Sequence, residues 1–453
     1  MLVQLPCKAE GKSDFVLMVK YDNLMSVILS RENLAAALKR VKANKGAAGV
    51  DRMGVDELSG HLSKEWPRIS SELAAGTYRP QAVRGVEIPK PNGGKRQLGI
   101  PTATDRFIQQ AVHQVLSRIW EGDFSKFSYG FRPDRSAHEA LAQATAYINA
   151  GKQDVIDLDL KSFFDRVNHD LLMSLVSRHV CDQPLLRLIR RYLQSGLLMG
   201  GVYSKRDEGT PQGGPLSPLL SNILLNELDK EMTRRGHCFV RYADDCSIFL
   251  GSKRAAQRVL ASITQFLEKK LRLEVNEEKT SICRPVKFTL LGHGFVSSYK
   301  KGEKGVYRLC IARKSWERLK LKIKVITRKT RPATVGERIA ALNLLMRGWV
   351  NYFRHATGFQ KLKDLDGWIR CRLRYCIWKQ WKRPKRRLRA FLQLGIPNSW
   401  ARRFAYSRKG GWRLSCGPVM GMSVTEDRLR ERGYRPFLEY YLALKYGKAP
   451  KKG

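Results

Sequence analysis

Phe239-Val240-Arg241-Tyr242-Ala243-Asp244-Asp245-Cys246-Ser247-Ile248-Phe249-Leu250 sets two adjacent carboxylates between runs of apolar and aromatic β-formers. The pattern predicts a β-hairpin with Asp244 and Asp245 at its tip. Like charges side by side repel, so a stiff hairpin presenting both demands a divalent cation, whereas a solvated turn needs none. The dipeptide alone does not choose between the two. A second acidic segment does. Asp154-Val155-Ile156-Asp157-Leu158-Asp159-Leu160 alternates acidic and apolar residues with period two, which predicts a strand with one carboxylate face holding Asp157 and Asp159. Carboxylates on two strands suit two-metal phosphoryl transfer, and Asp159 with Asp244 and Asp245 meets that need.

Mg²⁺ is the expected ion, two of them. It takes oxygen ligands and keeps waters and substrate phosphates, so few protein groups suffice. The backbone carbonyl of Leu160 is a further candidate ligand. Asp157 either assists the metals or ends its strand, and we read it as the latter. Phe164 reads either as core packing or as an aromatic lying under the sugar of an incoming nucleotide and excluding a 2′-hydroxyl.

Tyr242-Ala243-Asp244-Asp245 resembles the YADD box of reverse transcriptases, and further segments extend the likeness. Gly209-Thr210-Pro211-Gln212-Gly213-Gly214-Pro215-Leu216-Ser217-Pro218 is similar to that family's PQG motif followed by a helix. Ser128-Tyr129-Gly130-Phe131-Arg132-Pro133 resembles a segment of bacterial retroelement enzymes. Arg347-Gly348-Trp349-Val350-Asn351-Tyr352-Phe353-Arg354 resembles the thumb, or maturase, segment of group II intron-encoded proteins. Order and spacing agree from about residue 30 onward, so the chain resembles a bacterial group II intron-encoded reverse transcriptase/maturase of the endonuclease-lacking type.

The resemblance implies an α+β right-hand polymerase, with fingers and a palm carrying an antiparallel sheet, then an α-helical thumb and a small basic C-terminal domain. The implied bounds are a lead-in over residues 1–25, disordered or an over-long start, an N-terminal extension over 26–80, fingers and palm over 81–308, thumb over 309–380 and a basic DNA-binding domain over 381–453. The implied activity is RNA-directed DNA polymerase, extending a primer 3′-hydroxyl on RNA, with intron RNA binding that promotes splicing and retrohoming. Partners would be the RNA template, intron RNA, a DNA target or primer, and dNTPs. Two other readings stay open: a host-adapted enzyme serving DNA repair or phage defence, and a maturase acting mainly as an RNA-binding splicing cofactor. With Lys451-Lys452-Gly453 following the basic region and no paired His and Cys ligands, no DNA-cleaving activity is expected.

The same resemblance assigns residues. Gln212 would contact the template or the incoming nucleotide. In the predicted hairpin Val86 to Leu98, Lys90 and Arg96 would bind the triphosphate, with Lys95 as a substitute for either. Arg132, Arg347, Asn351 and Arg354 would face nucleic acid. The loop Asn44 to Asp51 is expected at template or intron RNA, with Arg52 where family members often carry Gly.

Composition bounds the partners independently. With Lys+Arg 84 against Asp+Glu 41, the net charge is +43 and the pI about 10.2, which points to polyanions. The 453 residues suffice for two or three domains, and 43% hydrophobic content with 9% aromatics excludes disorder as the main state. Nine cysteines without a C-x-x-C pair read as reduced thiols of a cytoplasmic protein rather than zinc ligands. No apolar run approaches the roughly 20 residues that cross a bilayer, so no membrane partner is expected.

Charge is also uneven. From Gly367 to Thr425 there is no acidic residue, but there are 15 Lys or Arg and nine Trp, Tyr or Phe. Arg372, Arg374, Lys379, Lys382, Arg383, Lys385, Arg386, Arg387 and Arg389 are expected to meet phosphates. Trp378, Trp381 and Trp400 either stack on bases or pack the core, and we read packing. Periodicity predicts helices over 30–75, with Ser30 as an N-cap, and over 313–380. There the stripe Leu342, Leu345, Met346, Trp349 and Phe353 faces a core and leaves Arg347, Asn351 and Arg354 outside.

Overall fold

The computed structural model describes residues 20–89, 93–298, 303 and 305–447. The chain divides into two compact units, Met1–Arg284 and Pro285–Gly453.

The first unit opens with α1 (Leu24–Ile28), α2 (Arg31–Ala43) and α3 (Leu58–Ala74). The Ser30 side chain accepts from the Asn33 N–H, so it satisfies one of the orphan donors of α2. Next come β1 (Val83–Pro89), β2 (Lys95–Ile100), α4 (Ala103–Glu121), α5 (Ala137–Asn149), β3 (Asp154–Leu158), α6 (His169–Val176) and α7 (Gln183–Leu193). The unit continues through β4 (Leu197–Met199), β5 (Val202–Ser204), α8 (Ser217–Arg234), β6 (Cys238–Tyr242), β7 (Asp245–Leu250), α9 (Lys253–Phe266) and β8 (Ser281–Cys283).

Two four-stranded sheets result, β2-β1-β4-β5 and β6-β7-β3-β8. The second is antiparallel at every pairing. Alternation divides its central strands. Ile156, Leu158, Cys246 and Ile248 enter the main core, each contributing roughly 2 kcal/mol by burial. Asp157, Asp159, Asp245 and Ser247 take the opposite face. Between the two sheets in sequence, α4 is anchored at its start. Thr102 caps it, and the buried Asp105 accepts from the Tyr78 and Tyr192 hydroxyls and the Gln81 N–H.

The second unit begins with the three-stranded sheet β9 (Thr289–Leu290), β10 (His293–Ser297) and β11 (Tyr307–Ile311), in the order β11-β10-β9. Helices α10 (Arg313–Ile326), α11 (Val335–Phe353) and α12 (Phe359–Gln380) follow. Shorter helices complete it: α13 (Pro384–Gln393), α14 (Asn398–Ala405), α15 (Gly411–Ser415), α16 (Pro418–Ser423), α17 (Glu426–Glu431) and α18 (Phe437–Tyr446).

Both expected boundaries differ in the structure. The palm was expected to run to residue 308, but among the described residues β9 to β11 form a sheet of their own and group with the helices that follow. Residues 381–453 were expected as a separate domain, yet Phe391, Leu414, Tyr434, Phe437 and Tyr441 share one core with Leu362, Ile369 and Leu373 of α12. Asp366 of α12 explains part of this, since its carboxylate accepts from the Tyr434 hydroxyl and the N–H groups of Phe437 and Leu438. Trp378 is buried against Phe391, as packing requires, while Trp400 stays exposed. Among the described residues no helix is long and apolar enough to cross a membrane.

Candidate catalytic site

The hairpin forms where the sequence places it. Tyr242 pairs with Asp245 across a two-residue turn of Ala243 and Asp244, and Ala243 takes a left-handed φ of 60°. On the neighbouring strand Leu158 pairs with Cys246, so continuing the register sets Asp159 opposite Asp245 and Leu160 opposite Asp244. The structure therefore brings Asp157, Asp159, Asp244 and Asp245 to one end of one sheet.

Segment 274–276 fixes the far side of Asp159. Its carbonyl accepts from the Asn276 N–H at 2.9 Å, and the Lys161 N–H donates to the Glu274 carbonyl at 2.9 Å. Leu160 and Val275 thus form a non-hydrogen-bonded antiparallel pair, which turns the Leu160 carbonyl away from that segment and toward the hairpin side.

Charge at this end is unbalanced. Burial pushes the Asp245 carboxyl up to about 6, and Asp244, Asp157 and Asp159 add to the rise, although the side chain still reaches solvent. Burial, then Asp159, raises Asp157 to about 6. The nearby cation is Lys279, whose Nζ lies 3.2 Å from Asp159 Oδ2 and whose charge opposes the rise at Asp245. Among the described residues no three His, Cys, Asp or Glu side chains converge tightly enough to hold an ion unaided. That donor set fits Mg²⁺, which completes its octahedron with water and substrate phosphate.

Behind the hairpin lies a support that the sequence reading missed. Arg241 and Asp229 are both 0% exposed, paired through Nε and Nη2. Arg241 Nη1 also donates to the Asn222 side-chain oxygen at 2.8 Å and to the Ala243 carbonyl at 2.9 Å. An arginine inside an otherwise apolar strand was the available signal.

The Ser128 to Pro133 segment completes that support. Tyr129 N–H donates to the Arg241 carbonyl, and Asn222 Nδ2 to the Gly130 carbonyl. A Cβ on Gly130 would stand 2.3 Å from the Ala243 backbone nitrogen, closer than any side chain tolerates. Gly130→Ala is therefore expected to displace the turn and lower primer extension about a hundredfold, the scale of an ångström of misplacement. Extension kinetics beside a thermal melt test this, and wild-type rates would count against the contact.

The PQG loop joins the site to β2. Gly209 at φ 85° donates to the Val167 carbonyl, and Thr210 N–H to the Phe164 carbonyl at 2.6 Å. A Cβ on Gly209 would lie 2.8 Å from the Phe164 and Asp165 carbonyl oxygens. His169 Nε2 donates to the Gly209 carbonyl, and the Gln212 carbonyl accepts from Gly99 N–H. Phe164 and Gln212 are thus held on two loops bonded to each other, both half-buried. The Phe164 ring meets Phe163 edge-on at 5.2 Å and packs on the main core.

The remaining residues fare differently. Lys90 lies outside the described residues, as does the Arg96 side chain, whose backbone pairs with Ile88. Lys95 pairs with Glu87. Arg132, expected at nucleic acid, is instead internal: it is held by Glu121 and donates to the Ser125 and Ser128 carbonyls, so no donor edge remains for phosphate. Arg387 is likewise redirected. Its guanidinium lies 4.2 Å from the Trp378 ring and Nε donates to the Trp381 carbonyl. Arg372 and Arg374 bond Thr327 and the Val424 carbonyl. Lys382, Arg383, Lys385 and Arg386 are exposed, as are Arg347, Asn351 and Arg354, which share one face of α11.

Comparison with known proteins adds the family. Residues 88–295 match the family described as reverse transcriptase (RNA-dependent DNA polymerase), and residues 316–393 the group II intron maturase-specific domain. Protein YkfC of Escherichia coli K12 is 34% identical over 319 residues, covering 61% of this chain and 84% of that protein. The group II intron-encoded protein LtrA of Lactococcus lactis is 32% identical over 336 residues, covering 59% of this chain and 56% of LtrA. A putative COX1/OXI3 intron 1 protein of Saccharomyces cerevisiae is 28% identical, covering 58% of this chain and 38% of the yeast protein. The chain thus spans little more than half of LtrA.

Proposed function

We propose, from the premise that this chain belongs to the group II intron reverse transcriptase/maturase family, that it extends a primer on an RNA template and binds intron RNA to promote splicing. The observation that carries the reading is the meeting of Asp159 with Asp244 and Asp245 at one sheet end, where burial and then the neighbouring carboxylates raise Asp245 to about 6. Nucleic acids are the partners of both domains it carries.

Asp159, Asp244, Asp245 and the Leu160 carbonyl would hold two Mg²⁺. When bound, such ions activate a primer hydroxyl and stabilise the leaving pyrophosphate oxygen. The chain's own part is placement. Lys279 screens Asp159 before a cation arrives. Phe164 and Gln212, held together by the Phe164 to Thr210 hydrogen bond, border the nucleotide's sugar and base, while Lys90 and Arg96 meet its triphosphate. Arg347, Asn351 and Arg354, with Lys382, Arg383, Lys385 and Arg386, form the intron RNA surface. The match to the maturase domain supports that second role, and retrohoming into DNA would follow from both together.

The raised carboxyls give a direct test. An Asp that titrates near 6 when folded and near 3.9 when unfolded keeps its proton in the native state across that window. Its contribution to stability is therefore lost as pH rises from about 4 to about 6. Without metal, Asp245→Asn should melt with the wild type near pH 4 and above it by pH 7, and Mg²⁺ should erase the gap. Parallel melting curves at every pH would reject the cation site. Primer extension on RNA with Mg²⁺ tests the activity itself.

A further inference from the structure

Arg106 lies on α4, outside the catalytic constellation, and is 9% exposed. Its Nε and Nη2 are buried and have no hydrogen-bond partner, and the Nδ1 of His113, two helical turns on, is also buried and without one. A buried unpaired donor is costly, and a charged one more so. Both side chains line a cavity of about 760 Å³, with Arg40 and Arg118 exposed at its edge and Gly213 and Gly214 of the PQG loop in its wall. Asp51 is the acidic group whose charge reaches Arg106.

Nε and Nη2 form one edge of a guanidinium, a fork that matches two oxygens of a phosphate. Phe131, from the Ser128 to Pro133 segment, lines the same cavity. It is 54% exposed and held at a left-handed φ of 58°, a backbone region that L side chains other than Asn and Asp seldom adopt. A large apolar ring kept in solvent by an unfavourable backbone is placed for stacking on a base.

We propose that this cavity binds one nucleotide of single-stranded template, its phosphate on the Nε and Nη2 edge of Arg106 and its base against Phe131. The template, rather than another strand, follows from the walls: Gly130 abuts the catalytic turn, so Phe131 continues directly from the site, and Gly213 and Gly214 follow Gln212. The inference rests on the polymerase reading. It adds a subsite that reads one unpaired nucleotide through charge and stacking, with no base-edge donor or acceptor needed.

The test compares affinity for a primer-template duplex carrying a single-stranded 5′ template overhang with affinity for the same duplex made blunt. Arg106→Gln should weaken overhang binding about tenfold and reduce the salt dependence by about one counterion. Phe131→Leu, a change at an exposed side chain whose thermal melt should match wild type, should weaken it by a similar factor without altering the salt slope. Neither should change blunt-duplex affinity, and Arg106→Gln should melt no lower than wild type, since it removes a buried unpaired charge. Overhang affinity unchanged in Phe131→Leu, or equal losses on both duplexes in Arg106→Gln, overturns the subsite. Extension by the wild-type chain is scored separately: a chain that polymerises without overhang preference keeps the polymerase reading and loses this one.

Discussion

Replacing Asp244 and Asp245 together with Ala is expected to abolish Mg²⁺-dependent primer extension on RNA, a loss of at least about a thousandfold, since a single preorganised charge partner is worth roughly 10²–10³ in rate. Folding should survive. Both side chains sit at a turn, and burial with like-charge repulsion already raises Asp245, so neutralising the pair relieves strain rather than creating it. The informative measurement is a single-turnover extension assay beside a thermal melt. Extension near the wild-type rate by a folded double mutant would sink the assignment. The same variant separates the two proposed roles, because intron RNA binding by the second unit uses no carboxylate. Splicing of a cognate transcript should persist in it, and loss of splicing with extension would mean that one site serves both.

Asp229→Ala is expected to have the largest effect on stability. Arg241 and Asp229 are completely buried and paired, and removing one partner leaves an uncompensated charge that costs about 3–5 kcal/mol. Against a total of roughly 5–15 kcal/mol for a folded protein, that is a large share. Melting should drop on the order of 10 °C for a unit of this size. Arg241 also donates to the Ala243 carbonyl, so extension should fall further than the melt alone explains. The double variant Asp229→Leu/Arg241→Met provides the control. Replacing both charges with apolar groups should recover most of the stability without restoring activity, because the turn still lacks its donor. An Asp229→Ala protein that melts like wild type would show that the pair contributes nothing to the fold.

Much of the molecule was legible in order of residues. Alternation with period two located β3, the apolar β-formers flanking Asp244 and Asp245 located β6 and β7, the Ser30 cap located α2, and the stripe from Leu342 to Phe353 oriented α11. These are local patterns, and local geometry suffices to read them. The four basic residues Lys382, Arg383, Lys385 and Arg386 are also where composition put them, on the surface.

Arginines were read less well. Arg132, Arg372, Arg374 and Arg387 look like phosphate ligands in a chain of net charge +43, yet each spends its donors on carbonyls, carboxylates or rings inside its own unit. Arg106 drew no notice, and its Nε and Nη2 edge stays open. Charge is a property of the residue, whereas the partner of a guanidinium is chosen by whatever the fold brings to its five donors.

The sequence by itself determined the strands, the acidic tip and the family, because periodicity, turn chemistry and motif order are written along the chain. Only the tertiary structure decided that the β3 register, continued, brings Asp159 beside Asp245, that Arg241 and Asp229 brace the turn from behind, and that the basic C-terminal stretch packs into the core begun by α12. Those facts depend on register and on contacts between residues far apart in the chain, and burial then sets both the pairing of the arginines and the charge state of the carboxylates.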